Sequence, residues 1–410
     1  MKIWIINQYA TLPSSGLGVR HRHLARELAA LGHDTSVIAA RWSHLTLDEA
    51  AADAAPQVDH FEGFRFLSLD LLRYRDAHDK KRALNWFLFA YKLLRAQRVL
   101  GEKPDAVVYS SPSLVGYLAA EWIARRCRAR LIFEVRDIWP LSLTHIGGYS
   151  KHHPFIRLFQ WIEDRAYRNS DLVVSNLRGA VDHMEQRGLP GDRFVWLPNG
   201  VSLSKLDQKE SAPAALHAKI PSGKFVVGYA GTLGSANSIN TLIDAARILR
   251  HDPEILFVLL GGGREKSALE ERVRSEELSN VIFIESVPKA QVQDILKRFD
   301  ACWIGWKSSP LYNYGIAANK IFDYLYSARP IIHSYSGRHD PVMDYNAGLS
   351  VPAEDPAALA AAIATMRSLP NKRRRQLGKN GRVAVLERHD YQNLARQLEK
   401  SITEIRCIQC

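Results

Sequence analysis

Short, uniformly apolar runs alternate along the chain with longer stretches in which apolar residues return every three or four positions. The runs predict strands at Ile3–Ile6, Thr35–Ala39, Ala106–Ser110, Arg130–Glu134, Leu172–Ser175 and Phe194–Leu197. A second series predicts strands at Phe225–Ala230, Leu256–Leu260, Val281–Ile284, Ala301–Ile304 and Pro330–His333. Most are rich in β-branched residues and carry no polar alternation, the pattern of strands covered on both faces. Between them, Leu24, Leu28 and Leu31 are spaced as on one helix face, with Gly32 as a stop; Leu242, Ala245, Ala246 and Leu249 repeat the pattern. The alternation predicts α/β architecture, with parallel sheets and helices on both faces. Gln208–Gly223 breaks the rhythm with Pro213, Pro221 and Gly223, and reads as a linker between two α/β domains of similar size.

Composition narrows the class. The 410 residues are 46% hydrophobic and 24% charged, which excludes collagen-like, disordered and disulfide-scaffold chains. No stretch approaches the roughly 18 apolar residues of a membrane span. The run in Met1–Asn7 is too short for a signal-peptide core. Lys plus Arg is 55 against 43 Asp plus Glu, a formal charge of +12, which favours polyanions, anionic membranes or phosphorylated small molecules. Four cysteines, Cys127, Cys302, Cys407 and Cys410, suit a reducing cytoplasm. Cys407 and Cys410 lack a second pair or nearby histidines and read as tail thiols rather than a zinc site. Lys372–Arg375 reads as a solvated helix face, and without a nucleic-acid-binding signature no nucleic acid is expected as partner.

Several motifs could carry chemistry. Gly16 and Gly18 sit between the first strand and the helix bearing Arg20, His21, Arg22 and His23. Glycines there admit a ligand to backbone N–H groups, and Arg20 and His23 favour an anion or hydroxyl; a tight turn is the bland alternative. A dinucleotide site would need a third glycine and an acidic residue after the second strand, where this chain has His21 and Arg41-Trp42. Glu134-Val-Arg136-Asp137-Ile-Trp139-Pro140 follows a strand and offers a carboxylate, a cation and a stacking face for a sugar. Its alternative is a salt-bridged loop with Trp139 as a core anchor. Gly228–Gly234 and Leu259–Gly263 are glycine-rich strand ends of the kind that cradle a diphosphate. In Tyr314–Leu325, at about 100° per residue, Asn319, Lys320 and Asp323 share a face opposite Ile321, Phe322 and Leu325. Lysine neutralises phosphate and a carboxylate accepts from a ribose diol; a surface ion pair is the alternative.

The ordered set resembles the GT-B glycosyltransferases of family 4, the glycosyl transferases group 1, over nearly the whole chain. Gly16-x-Gly18 with Leu31-Gly32-His33-Asp34-Thr35 is similar to the family's opening, Leu197-Pro198-Asn199-Gly200-Val201 to its interdomain signature, and Phe322–Ile332 to its nucleotide helix and next strand. Arg136–Pro140 and Asn319–Asp323 resemble the bacterial surface-polysaccharide branch that includes amino-sugar transferases. Three departures stand out. Where the family often has two glutamates eight apart, this chain has Gly315 and Asp323; the usual Arg and Lys are replaced by Thr232 and Asn240; and Asp137 stands for a histidine.

The resemblance implies two Rossmann-like domains facing across a cleft: 1–205 for the acceptor, a linker at 206–222, 223–385 for the nucleotide sugar, and a C-terminal helix in 386–410 returning to the first. It implies a retaining, metal-independent transfer from a nucleotide sugar, UDP-linked, to a saccharide or polyprenyl-linked acceptor, with no cofactor. Asp137 and Lys320 are the expected catalytic residues. Gly231, Thr232, Gly262, Gly263, Gly315, Ala318, Asn319, Lys320 and Asp323 would hold the donor, with backbone near Val287 and Pro288 at the base. Gly16, Gly18, Arg20, His23, Arg136 and Trp139 would meet the acceptor. A non-catalytic nucleotide-sugar binder and a dinucleotide-dependent oxidoreductase are the competing readings. Lys80–Arg98, with Trp86, Phe87, Phe89 and Tyr91 among cations, is expected either as a helix lying on an anionic membrane at the inner face of the plasma membrane or, equally, as a buried helix with basic ends.

Overall fold

A computed structural model describes residues 1–12, 19–43, 56–74, 79–206 and 210–405. The chain forms two compact units, one of Met1–Pro198 with Tyr391–Cys410, the other of Asn199–Asp390.

In the first unit the strands are β1 (Lys2–Ile6), β2 (Asp34–Ala40), β3 (Gln57–Phe61), β4 (Phe64–Leu69), β5 (Ala106–Ser110), β6 (Arg130–Val135), β7 (Leu172–Ser175) and β8 (Phe194–Trp196). They form one sheet in the order β3-β4-β2-β1-β5-β6-β7-β8. All pairs are parallel except β3 with β4. That hairpin is absent from the strands predicted above. β3 is half-exposed and mixes polar with apolar residues, so it lacks the apolar run of a strand buried on both faces. Its signal is the turn: Glu62 and Gly63 both have positive φ, 39° and 85°, as a two-residue hairpin turn requires.

Helix Arg20–Ala30 lays Leu24, Ala25 and Leu28 on this sheet beside Ile3, Val37 and Phe66. Helix Tyr391–Glu404 adds Tyr391, Leu394, Ala395, Leu398 and Ile402 to the same cluster.

The second unit has β9 (Phe225–Ala230), β10 (Ile255–Leu260), β11 (Val281–Ile284), β12 (Ala301–Gly305), β13 (Ile331–Ser334) and β14 (Gly348–Val351), all parallel, in the order β11-β10-β9-β12-β13-β14. The short edge strand β14 was not predicted. The described part of the expected linker is packed onto this unit. It forms helix Ala214–Ala218, buries Ala212 and Ile220 in the core, and Asp294 accepts from the Ala212 N–H at 3.1 Å and from His217 at 2.9 Å. Its apolar residues outweigh the loop signals of Pro213 and Pro221.

The Lys80–Arg98 stretch is two helices, Lys80–Leu93 and Ala96–Leu100. Two of the four aromatic residues expected at a membrane are used inside the protein. Phe89 is buried, and Trp86 packs edge-on against Phe159 and Trp139 at 5.3 and 5.6 Å and donates to Tyr9 Oη at 2.8 Å. Phe87 and Tyr91 remain exposed, in a stripe with Leu84 and Leu94. No described helix is long and apolar enough to cross a membrane.

Candidate functional site

The chemistry of the second unit gathers at the C-terminal ends of β9 and β10, where parallel sheets bind ligands. The two glycine loops there are zipped together: Gly231 N–H donates to Leu260 O at 2.9 Å and Leu233 N–H to Gly262 O at 2.8 Å. Glycine is required by this approach. A Cβ on Gly261 would lie 2.1 Å from Gly231 O, and one on Gly263 would lie 2.3 Å from Leu233 O. Gly261, absent from the expected site residues, is thus as necessary to the loop pair as Gly263, whereas a Cβ on Gly262 would meet only Ser286 Oγ at 3.1 Å. Thr232 turns its carbonyl inward, to Tyr229 Oη at 2.7 Å and Asn237 Nδ2 at 2.9 Å.

Helix Asn319–Tyr326 is fixed over these loops by Tyr324, whose hydroxyl accepts from Ala230 N–H at 2.6 Å and donates to Ala230 O at 2.9 Å. Ile321, Phe322 and Leu325 are buried as the spacing predicts, and so is Asp323. Lys320 reaches back to β9. Its Nζ donates to Tyr229 Oη at 2.8 Å and Asn237 Oδ1 at 2.5 Å, and lies 3.4 Å from where a Cβ on Gly231 would be. Burial lowers its pKa to about 8, and its partners are neutral. Ala318 precedes the helix with no side-chain cap, and exposed Asn319 opens it. Asn199 donates to Ala317 O at 2.6 Å, so the Pro-Asn-Gly turn holds the approach to this helix. Gly315, at φ 108°, ends a short 3₁₀ turn at Pro310–Tyr314.

Asp323 and Lys320 do not pair. Asp323 instead accepts from Lys289 Nζ, and its carbonyl accepts from Gln293 at 3.0 Å. Lys289 opens the helix immediately after Pro288, which brings the Val287–Pro288 segment to the Asp323 carboxylate. Lys289 was missed because 34 residues separate it from its partner.

In the first unit, Gly16 and Gly18 lie outside the described residues. Arg20 is buried, and its fork is engaged by the protein: Nε to Glu134 Oε1 at 2.8 Å, Nη2 to Leu197 O at 2.9 Å, and Nη1 to Pro198 O at 2.5 Å. The acceptor contact expected of it is replaced by a clamp tying the first helix to the end of β6. His21 lies 2.9 Å from Ser110 Oγ and 3.3 Å from Glu134 Oε2; burial lowers its pKa to about 4, so it is neutral at pH 7. Burial alone would raise Glu134, but Arg20, His21 and Arg136 together hold its carboxyl well below the usual range. His23 stacks on Tyr391 at 4.8 Å. Asp137 is exposed, with its carboxylate accepting from Trp139 Nε1 at 3.0 Å and from Ser142 Oγ. Trp139 is 8% exposed and packs in an aromatic cluster with Trp86 and Phe159. Its ring is a core anchor, and the sugar-stacking face expected of it is spent inside the protein.

Comparison with known proteins adds the following. Residues 15–200 match the family described as "Glycosyl transferase 4-like domain" and residues 216–384 match "Glycosyl transferases group 1". A putative colanic acid biosynthesis glycosyl transferase, WcaI from Escherichia coli K12, is 24% identical over 292 residues, 69% of this chain and 71% of that protein. Among solved structures, HepE from Anabaena in complex with UDP superposes with TM-score 0.71 at 13% identity, covering 99% of this chain and 100% of the other. Sucrose-phosphate synthase from Thermosynechococcus elongatus gives 0.72 at 18% identity, covering 97% of each chain. A structure described as trehalose-6-phosphate from E. coli bound with UDP-2-fluoro glucose gives 0.74 at 11% identity, covering 99% of this chain and 100% of the other. At these identities the structural likeness is one of fold.

Proposed function

Because the chain belongs to family 4 of the GT-B glycosyltransferases, the glycosyl transferases group 1, we propose that it moves a sugar with retention from a UDP-linked donor, an N-acetylated amino sugar among the candidates, to a saccharide or polyprenyl-linked acceptor in surface-polysaccharide synthesis. The observation that carries this reading is Lys320, a cation held beside two interlocked glycine loops by neutral partners. A diphosphate supplies the counter-charge. The loop glycines at 231, 262 and 263 let it approach the backbone, and the helix opening at Asn319 adds roughly half a unit of positive potential. Thr232 belongs to this loop pair. Asp323 is the acceptor for the ribose hydroxyls, with Val287–Pro288 beside the base. Across the reaction, Lys320 stabilises the charge growing on the departing phosphate, so the transfer proceeds without a bridging metal. Asp137, two residues beyond the end of β6, is read as the catalytic residue on the acceptor side. The name of WcaI and the UDP ligands of the fold relatives support the donor and pathway class.

The test is incubation with a panel of nucleotide sugars with and without EDTA. UDP release from one donor, undiminished by EDTA, is expected. Turnover of no donor sinks the reading, and turnover restored only by Mn²⁺ or Mg²⁺ sinks its metal-free part. Asp323→Ala should weaken UDP binding by about 1.5–3 kcal/mol, the loss of charge-assisted hydrogen bonds; unchanged affinity by calorimetry removes the ribose role.

The protein acts at the inner face of the plasma membrane. The exposed stripe of Leu84, Phe87, Tyr91 and Leu94, flanked by Lys80, Lys81, Arg95 and Arg98, supports this. Each cation near an anionic surface adds about 1 kcal/mol. Co-sedimentation with anionic liposomes at low salt is expected and should weaken in Phe87→Glu; a protein that stays in the supernatant contradicts it.

A further inference from the structure

Beyond Asp137 the first unit exposes apolar surface that nothing in the proposed reaction uses. Asp137 accepts from Ser142 Oγ, and the carbonyl of Ser142, in the short helix Leu141–His145, accepts from Ile146 N–H at 2.9 Å. Ile146 therefore stands one helical turn from the residue that holds the carboxylate. It is 77% exposed, more than any other large apolar side chain among the described residues. The loop then folds back: Tyr149 N–H donates to Leu143 O at 3.3 Å, and a Cβ on Gly147 would lie 3.0 Å from the Tyr149 ring. Tyr149 and, at the start of helix Pro154–Asn169, Phe155 are exposed as well.

These rings form a continuous run. Tyr149 meets His153 edge-on at 5.9 Å, His153 stacks on Phe155 at 5.7 Å, and Phe155 reaches Phe159 at 6.3 Å. His153 Nδ1 accepts from Phe155 N–H at 3.3 Å, which fixes the step between Tyr149 and Phe155. Phe159, which is buried, lies 5.9 Å from Trp139, and Trp139 Nε1 donates to Asp137 at 3.0 Å. The run starts in solvent and ends at the Asp137 carboxylate. Its surroundings are basic: no acidic residue lies between Asp137 and Glu163, whereas Lys151 and Arg157 are exposed there. Contiguous exposed apolar side chains mark a surface that something covers. An isoleucine and two rings flanked only by cations fit a ligand that is apolar along its length and anionic at one end. A bare saccharide gains no hydrogen bond from Ile146, and a second copy in a two-fold contact would set Lys151 and Arg157 against their own counterparts.

We propose that Ile146, Tyr149 and Phe155 form a shelf for the isoprenoid chain of a prenyl diphosphate-linked acceptor. This rests on the reading of Asp137 as the acceptor-side residue, and it narrows the acceptor from a saccharide or polyprenyl-linked molecule to the lipid-linked class. The chain lies along the exposed rings, Lys151 and Arg157 supply positive potential for the diphosphate, and the saccharide beyond it is delivered toward Asp137. The shelf thereby selects the acceptor by its lipid and leaves the sugar hydroxyl free to react.

The full chain, in saturating UDP, is titrated calorimetrically with geranyl diphosphate and with farnesyl diphosphate, both below their micelle concentrations. Each fully buried methylene strengthens binding about fourfold, so the longer chain should bind tenfold tighter or more. Ile146→Asp and Phe155→Ser should each weaken farnesyl diphosphate tenfold or more and leave UDP affinity unchanged. Ile248→Asp, at an exposed isoleucine of the second unit, should change neither. Should Phe155→Ser lower the melting temperature, Ile146→Asp carries the test, since that side chain packs on little. A chain-length preference that persists in a protein binding no UDP supports the shelf and removes the transferase reading instead. Equal affinity for the two prenyl diphosphates, or farnesyl binding that survives Ile146→Asp, overturns the proposal. Loss of phosphatidylglycerol-vesicle binding or of self-association in Ile146→Asp, without a prenyl chain-length preference, also overturns it and assigns the surface to the bilayer or to a second copy.

Discussion

Replacing Lys320 with alanine is expected to lower kcat about a hundredfold or more, the scale of removing one preorganised electrostatic group, and to weaken UDP binding less. The reason lies in when the charge is needed. A diphosphate gains negative charge as the glycosidic bond breaks, so a cation beside it contributes more in the transition state than in the ground state. Lys320 is suited to this because Tyr229 and Asn237 orient it without cancelling its charge. Its burial also sets a pH dependence. Burial lowers the pKa of the ammonium to about 8, and a bound diphosphate would raise that value. Donor affinity should therefore be full below pH 8, fall as pH rises through 8, and level off once the pH passes the raised value of the complex. Lys320→Arg stays charged across this range and should flatten the profile. The stability linkage has the opposite sense: the cost of burying this charge is fully present below pH 8 and is relieved as pH rises toward the unfolded lysine value. A Lys320→Ala protein with normal kcat and normal melting temperature removes the assignment.

Glu134→Leu should destabilise the first unit by about 3–5 kcal/mol, the cost of leaving a buried charge without its partner, which for a unit of this size is roughly 10 °C in melting temperature. Glu134 and Arg20 are each only 2% exposed and meet at 2.8 Å. Removing the carboxylate leaves the buried Arg20 charge without its acid. Adding Arg20→Met should recover part of the loss, because one stranded charge goes with it. Since the neighbouring cations hold the carboxyl below its usual range, its stabilisation is present above the unfolded glutamate value and is lost only as pH falls through the lower, folded one. Denaturation of the single and double variants measures this; a loss under about 1 kcal/mol would mean the ion pair only breaks even against its desolvation.

How much of this could be read from the sequence depends on distance along the chain. Strands such as Ala106–Ser110 and Phe225–Ala230 are legible because burial on both faces leaves an unbroken apolar run. β3 is not, because it is half-exposed at a sheet edge. The glycine loops and the Lys320–Asp323 segment stand out locally, but the partners that give them meaning do not. Lys320 finds Tyr229 across 91 residues, and Arg20 finds Glu134 across 114. Periodicity cannot report contacts at such separations, so Arg20 looks like a ligand-binding residue until its acceptors are visible. Trp139 misleads for the same reason, its neighbours Trp86 and Phe159 coming from other helices.

The last helix has a consequence for how the protein is made. Tyr391, Leu394, Ala395, Leu398 and Ile402 belong to the core of a unit whose other residues end at Pro198. On a ribosome, the second unit is complete once Asp390 has emerged, whereas the first waits for nearly two hundred further residues with the Leu24–Leu28 face uncovered. Domains tend to fold in the order in which they are synthesised; here that order is inverted for completion, and the earliest part of the chain is the last to be sealed. Nascent chains halted before Tyr391 should carry that apolar face as a chaperone-binding surface, and truncation at Asp390 should affect the solubility of the first unit while leaving the second folded.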